Sequence, residues 1–275
     1  MVRIVLLDLL VERAEFGHGG NLEALAPFAA TGHQIECLLL TPQMQAPGAR
    51  TDGCVPLTEV DVPRWDDEYP FWSEKIEQLP EGSVHLRRIC MPTKSTFSEL
   101  DVDAIICSGS RRNVSMWEPW MDGCAELLCW GVEQDIPTLG ICFGHQLLAV
   151  ALGGEVTRAE RYTDVVSDLE HHASDSVAGT CNVGLFTHQD HVTKLPSGVT
   201  HLASAHHCGY AAFKVDHRRA WGVQFHPEAA RARIERSFRL GHIDENELAA
   251  FQRDHDGAAL LSAFAEQVKS SKLSN

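Results

Sequence analysis

Apolar residues along the chain fall first into short unbroken runs. Val2 to Leu10 is apolar apart from Arg3 and Asp8, and Ile35 to Leu40 repeats the pattern with Glu36 alone. Runs without polar alternation predict strands buried on both faces, as in a parallel sheet covered by helices. Between them the spacing predicts a loop holding Gly17, Gly19 and Gly20, then a helix from Asn21 as N-cap to Gly32 as C-cap. Val102 to Cys107 is a third such strand and ends in Ser108 Gly109 Ser110. Pro119 is suited to open the next helix, with Trp120, Cys124, Leu127, Leu128 and Val132 as its apolar stripe. A strand at Ile136 to Leu139 follows. Strands joined this way deliver their C-terminal ends to one edge of the sheet, where ligand sites of open parallel sheets lie.

The pattern changes twice. From Thr41 to Pro80 it loosens into a proline-rich stretch with an acidic cluster at Asp66 Asp67 Glu68. That stretch reads as an insertion with one short strand near Val55 to Val60, and segments of this kind often act as lids or binding loops. After Gly153 Gly154 the elements shorten: Glu155 to Val165, Asn182 to Thr187, Thr200 to Ser204, Tyr210 to Val215 and Ala220 to Phe225 predict strands of a more antiparallel half. Ala229 to Val268 is helical by composition, and the last residues read as a frayed tail. The expected fold is therefore α/β: a doubly wound, mainly parallel sheet with helices on both faces, a smaller antiparallel portion and a C-terminal helical extension. The expected division is a domain over 1–240, with an insertion at 41–80, followed by an extension over 241–275.

Composition narrows the partners. The chain has 275 residues, 44% of them hydrophobic, and a net charge of −15. That charge argues against nucleic acid or an anionic membrane as a principal partner. No apolar run reaches spanning length and the first ten residues lack a signal-peptide pattern, so a cytoplasmic protein is expected. Nine cysteines without framework spacing fit a reducing compartment. Cys37, Cys90, Cys107, Cys124, Cys129, Cys181 and Cys208 read as small buried hydrophobes. His171 His172, His188 with His191, and His206 His207 Cys208 have no four-ligand spacing, so no metal or cofactor is expected.

One cysteine is different. Gly140 Ile141 Cys142 Phe143 Gly144 His145 Gln146 follows an apolar strand and runs into a helical stretch. Glycines flanking a thiol at a strand-to-helix turn are what a nucleophile elbow requires, because the tight backbone leaves no room for side chains. A helix N-terminus also favours thiolate over thiol. The nucleophile needs a base and an orienting acid. Trp221 Gly222 Val223 Gln224 Phe225 His226 Pro227 Glu228 supplies His226 and Glu228, which point the same way if the segment is extended.

GICFGHQ followed by WGVQFHPE resembles the class I (triad-type) glutamine amidotransferases, in particular standalone proteins similar to the amidotransferase domain of GMP synthetase. The matching segments run from about Val102 to Glu228. The resemblance implies a flavodoxin-like fold and glutamine hydrolysis through a γ-glutamyl thioester on Cys142, with His226 and Glu228 completing the triad. It implies an oxyanion hole from the backbone of Phe143 and of Gly109 or Ser110. Where the family carries SGGP, this chain has SGSRRN, with Ser110 and Arg111 in place of glycine and proline. Gln146 is expected to contact the substrate's amino acid end. Thr187 His188 Gln189 Asp190 stands where the family has SHGD, so His188 and Asp190 are expected to frame the pocket. Arg158 to Asp168 replaces a glycine-containing turn.

Three functions follow as expectations. The first is a glutaminase that passes ammonia to a separate synthase or synthetase, since nothing after Glu228 is long enough for a synthetase domain. The second is a γ-glutamyl hydrolase, peptidase or transferase acting on another γ-glutamyl amide. The third is a catalytically inactive, regulatory protein, against which the intact Cys142, His226 and Glu228 stand.

Overall fold

The computed structural model describes residues 1–9, 14–30, 34–40, 84–89, 91–110, 112–239, 241 and 243–273. The expected insertion at 41–80, with its strand near Val55 to Val60, lies outside the described residues, as do Gly32, Cys90 and Arg111.

In chain order the strands are β1 (Val2–Leu9), β2 (Ile35–Leu40), β3 (Val84–Ile89), β4 (Ala104–Ser110), β5 (Thr138–Ile141), β6 (Glu155–Asp168), β7 (Glu170–His171), β8 (Val183–Lys194), β9 (Val199–Ala205), β10 (Cys208–Val215) and β11 (Ala220–Val223). The α-helices are α1 (Ala14–Ala30), α2 (Trp120–Glu133), α3 (Phe143–Ala151), α4 (Arg231–Arg239), α5 (Glu245–Ala250) and α6 (Gly257–Leu273). Nine strands form one sheet in the order β3-β2-β1-β4-β5-β11-β10-β9-β7, and β6 with β8 forms a second. The pairings from β3 through β11 are parallel. Those of β10 with β11 and β9, of β7 with β9, and of β6 with β8 are antiparallel. The expected α/β architecture with a smaller antiparallel part is thus present.

The continuous apolar runs become central strands because both faces are covered. Ile4 and Leu6 of β1 join Phe28 of α1 and Phe264 of α6 in one core. Val5 and Leu7 join Leu127 and Leu128 of α2 in the other. Alternate residues point to opposite faces, so one strand feeds both cores. Helix α6 packs into the central core through Leu260, Leu261, Phe264, Ala265 and Val268.

Two local expectations need correction. Helix α1 begins at Ala14 and contains Gly17, Gly19 and Gly20, so Asn21 is not its N-cap. The Asn21 side chain instead donates to the buried Asp8 carboxylate at 2.8 Å, a tertiary bond that outweighs the weak helix propensity of glycine. Strand β3 was not anticipated, because its sequence VHLRRI lacks the apolar run of a covered strand. It lies at one edge of the sheet, where polar side chains are tolerated.

Candidate functional site

Cys142 stands between β5 and α3 with φ 51° and ψ −101°, a conformation that L-residues avoid and that recurs at functional elbows. The two flanking glycines make it possible. A Cβ on Gly140 would lie 2.5 Å from the Gly144 carbonyl oxygen, and a Cβ on Gly144 would lie 2.2 Å from the Cys107 carbonyl oxygen. Helix and sheet therefore approach closely at the thiol. The Cys142 N–H donates to the Val223 carbonyl at 2.8 Å, and the Gln146 N–H donates to the Cys142 carbonyl at 3.1 Å. The Phe143 N–H, first in α3, has no acceptor within the helix. Behind the elbow the Trp120 indole stacks on the Phe143 ring at 5.6 Å between centroids. Trp120 read only as part of an apolar stripe, and a stripe does not reveal which residue it will meet.

His226 and Glu228 lie past the end of β11, where Ala229 N–H donates back to the His226 carbonyl at 3.2 Å and Ala230 N–H to that of Glu228 at 2.9 Å. The segment is thus turned rather than extended, yet the two side chains still meet. His226 Nδ1 lies 2.7 Å from Glu228 Oε1, and a carboxylate accepts, so Nδ1 carries the proton. Cys142, His226 and Glu228 are all buried, at 5%, 5% and 6% exposure. Burial draws the His226 pKa down, but the Glu228 carboxylate and the Cys142 sulfur outweigh it, and the ring holds its proton well above the usual histidine range.

Gly109 shows how tightly these parts fit. A Cβ there would lie 2.9 Å from His226 Cε1 and 3.7 Å from Cys142 Cβ, so the end of β4 abuts both groups. The backbone of Gly109 thereby stands beside the thiol. Ser110 Oγ accepts from the Arg112 N–H at 3.1 Å, which tightens the turn that replaces SGGP. Arg112 itself faces Glu118 at 3.8 Å.

The residues expected to frame the pocket are buried and bonded to one another. Gln146 Nε2 donates to the Asp190 carbonyl at 2.7 Å and to Gln224 Oε1 at 3.0 Å. The Asp190 carboxylate accepts from Asn113 Nδ2 at 2.8 Å, Ser115 N–H at 2.7 Å and Ser115 Oγ at 2.8 Å. These side chains therefore tie α3, β8 and the loop after β4 into one rim. His188 is buried, with Nδ1 3.0 Å from the Asp190 carbonyl, and burial first of all lowers its pKa to about 3. Arg158 to Asp168 lies within β6, paired with β8.

Of the cysteines read as inert, Cys37, Cys107, Cys124, Cys181 and Cys208 are buried and Cys129 is half-buried. Desolvation raises the pKa of each, which favours the protonated thiol where no cation stands beside it. Among the described residues, no helix is long and apolar enough to cross a membrane.

The family model for class-I glutamine amidotransferases matches residues 80–238. The glutamine-hydrolyzing GMP synthase subunit of Methanocaldococcus jannaschii is 36% identical over 143 residues, which is 50% of this chain and 71% of that protein. The glutamine-hydrolyzing GMP synthase of Symbiobacterium thermophilum is 37% identical over 138 residues, 48% of this chain but only 26% of that longer protein. Among solved structures, a glutamine amidotransferase from Thermotoga maritima has a TM-score of 0.61 at 17% identity, covering 97% of each chain. The glutaminase domain of Trypanosoma brucei CTPS has a TM-score of 0.59 at 14% identity, covering 98% of this chain and 94% of that one. The structural matches support the flavodoxin-like fold, and the family match over more than half of the sequence establishes that this chain belongs to the class-I glutamine amidotransferases.

Proposed function

We propose that the chain hydrolyses the side-chain amide of glutamine through a γ-glutamyl thioester on Cys142 and supplies the ammonia to a separate synthetase. The observation that carries this reading is the thiol at the positive-φ elbow beside a buried imidazole held 2.7 Å from a carboxylate. Cys142 Sγ attacks the γ-carbonyl carbon, and His226 gives its proton to the departing nitrogen as the C–N bond breaks. Water then attacks the thioester with His226 as base, the C–S bond breaks, and glutamate leaves. Both steps pass through an oxyanion, for which the N–H of Phe143 and an N–H at Gly109 or Ser110 are the donors. Glu228 fixes the tautomer and stabilises the imidazolium. Gln146, His188 and Asp190 hold the rim around the substrate's amino acid end.

The relatives named as glutamine-hydrolyzing subunits of GMP synthase support a division of labour in which ammonia is consumed by another polypeptide. The test is glutamate release from glutamine by the wild type and by Cys142→Ala; equal rates would exclude Cys142 as the nucleophile. A second reading, a γ-glutamyl hydrolase or transferase, is favoured by the long strand at Arg158 to Asp168 in place of a glycine-containing turn. Comparing kcat/KM for glutamine and a set of γ-glutamyl amides separates the two.

A further inference from the structure

Next to the candidate triad, three side chains that are far apart in sequence converge. The donor atoms of His188, His191 and Cys208 lie within 4.8 Å of one another. Regular strands would not produce this, because residues three apart on β8 face opposite sides. The ladders are irregular at both places. The β6–β8 register shifts between Arg158 and Thr163, opposite Asp190 and His188, and the β9–β10 register shifts between Cys208 and Ala212. Such irregularities re-aim side chains beside functional sites. Beside these irregularities the His188 and His191 rings lie 4.5 Å apart between centroids, with the Cys208 donor close to both.

The donor chemistry is equally specific. His188 is 2% exposed. Its Nδ1 must donate to the Asp190 carbonyl, since a carbonyl only accepts, so Nε2 carries the free lone pair. That Nε2 is buried and has no hydrogen-bond partner. A histidine with one nitrogen anchored on a carbonyl and the other unpaired has the arrangement of a metal-ligating imidazole. A buried Nε2 with no partner carries an unmet desolvation penalty. The nearby His207 ring, 6.1 Å from that of His188, also has a buried Nε2 without a partner.

We propose that His188 Nε2, His191 and Cys208 Sγ bind a borderline-soft divalent cation of the zinc type, with the fourth position left to water or His207. Two imidazoles and one thiolate are ligands that select such ions over Mg²⁺ or Ca²⁺. On binding, Cys208 loses its proton to solvent and the sulfur–metal bond forms without change of oxidation state. The separation of the donor atoms requires only a small inward movement to reach bond lengths near 2.0–2.3 Å.

The position assigns a consequence. Cys142 Sγ lies 3.7 Å from the carbonyl oxygen of Thr187, the residue before His188, and Cys142 and Cys208 belong to one core. A dication there repels the positive charge that His226 carries in the proposed reaction, so metal binding reversibly inhibits the glutaminase. The inhibition rests on the function proposed above, whereas the binding does not.

The test uses the full chain stripped with a chelator and titrated with Co²⁺, whose spectrum reports thiolate ligation, and with Zn²⁺ in competition. The expected result is one equivalent bound with a sulfur-to-cobalt charge-transfer band. Cys208→Ser abolishes the band, and His191→Ala weakens Zn²⁺ binding about tenfold or more. Both variants keep the metal-free glutaminase rate, and Zn²⁺ no longer inhibits Cys208→Ser. A band retained in Cys208→Ser, a band lost in Cys142→Ala, or Zn²⁺ affinity unchanged in His191→Ala overturns the site. Since His191 is half-buried, its variant decides the matter if Cys208→Ser does not fold. A protein that shows the cobalt band but releases no glutamate from glutamine keeps the metal site and sinks the function.

Discussion

Gly109→Ala tests the fit between the end of β4 and the proposed triad. The new Cβ would lie 2.9 Å from His226 Cε1, while 3.4 Å is the inner limit of ordinary contact. The ring must therefore retreat by roughly half an ångström. It has little freedom to do so, because Nδ1 is held on Glu228 at 2.7 Å and the His226 N–H donates to the Leu185 carbonyl at 2.7 Å. A misplacement of about 1 Å at a reacting group costs about 10²-fold in rate, so half of that gives about tenfold, or about 1.4 kcal/mol of barrier. The effect should fall on kcat, with KM little changed, because the clash is with the proton-transfer group. The assay is steady-state glutamate release, with the melting temperature as a check on the fold. Gly179→Ala is the control, since a Cβ there meets nothing within 4 Å. A Gly109→Ala enzyme that folds normally and retains kcat within twofold of wild type would refute the assignment of His226 as the proton-transfer group.

Three more outcomes follow from the same geometry. In Glu228→Gln one of the two charges that raise the His226 pKa is lost, Cys142 remains, and burial still lowers it. The ring then gives up its proton at lower pH, so the alkaline limb of kcat/KM should move to lower pH and kcat should fall about 10²- to 10⁴-fold; an unmoved limb contradicts the pairing. His145 is fully buried and its pKa is lowered to about 4 from 6.5, chiefly by desolvation, so between these values the unfolded chain binds the extra proton and stability falls as pH falls. The loss is about 2 kcal/mol between pH 7 and pH 5, read from urea midpoints, and His145→Gln should flatten that dependence. Gly144→Ala forces a Cβ to 2.2 Å from the Cys107 carbonyl oxygen, and should cost about 2–3 kcal/mol of unfolding free energy, visible as a lower melting temperature; an unchanged one argues against the close approach of α3 and β4.

Different parts of the chain were legible for different physical reasons. The central strands could be read because a strand covered on both faces must be apolar throughout. The elbow could be read because its glycines are demanded by local sterics at Gly140 and Gly144. The pair of His226 and Glu228 was legible even though the expected extended backbone is a turn, because residues two apart can meet in either geometry. Strand β3 was hidden because an edge position relaxes the apolar requirement. The early start of α1 was hidden because tertiary bonds such as Asn21 to Asp8 are invisible to local propensity.

The cluster of His188, His191 and Cys208 marks the limit of such reading. A metal motif can be recognised in sequence when its ligands sit on one turn or hairpin, since their spacing then encodes their geometry. Here β8 and β10 belong to different sheets, and the three side chains meet where the β6–β8 and β9–β10 ladders are irregular. No spacing rule contains that information, and His188 alone had an expected role, in framing the pocket. The same Asp190 carbonyl that receives Gln146 Nε2 also orients His188. One backbone group thus ties the helix behind Cys142 to the proposed ligand. Movement of the rim on substrate binding is therefore expected to reach the proposed metal site, and metal binding to act on the rim in return.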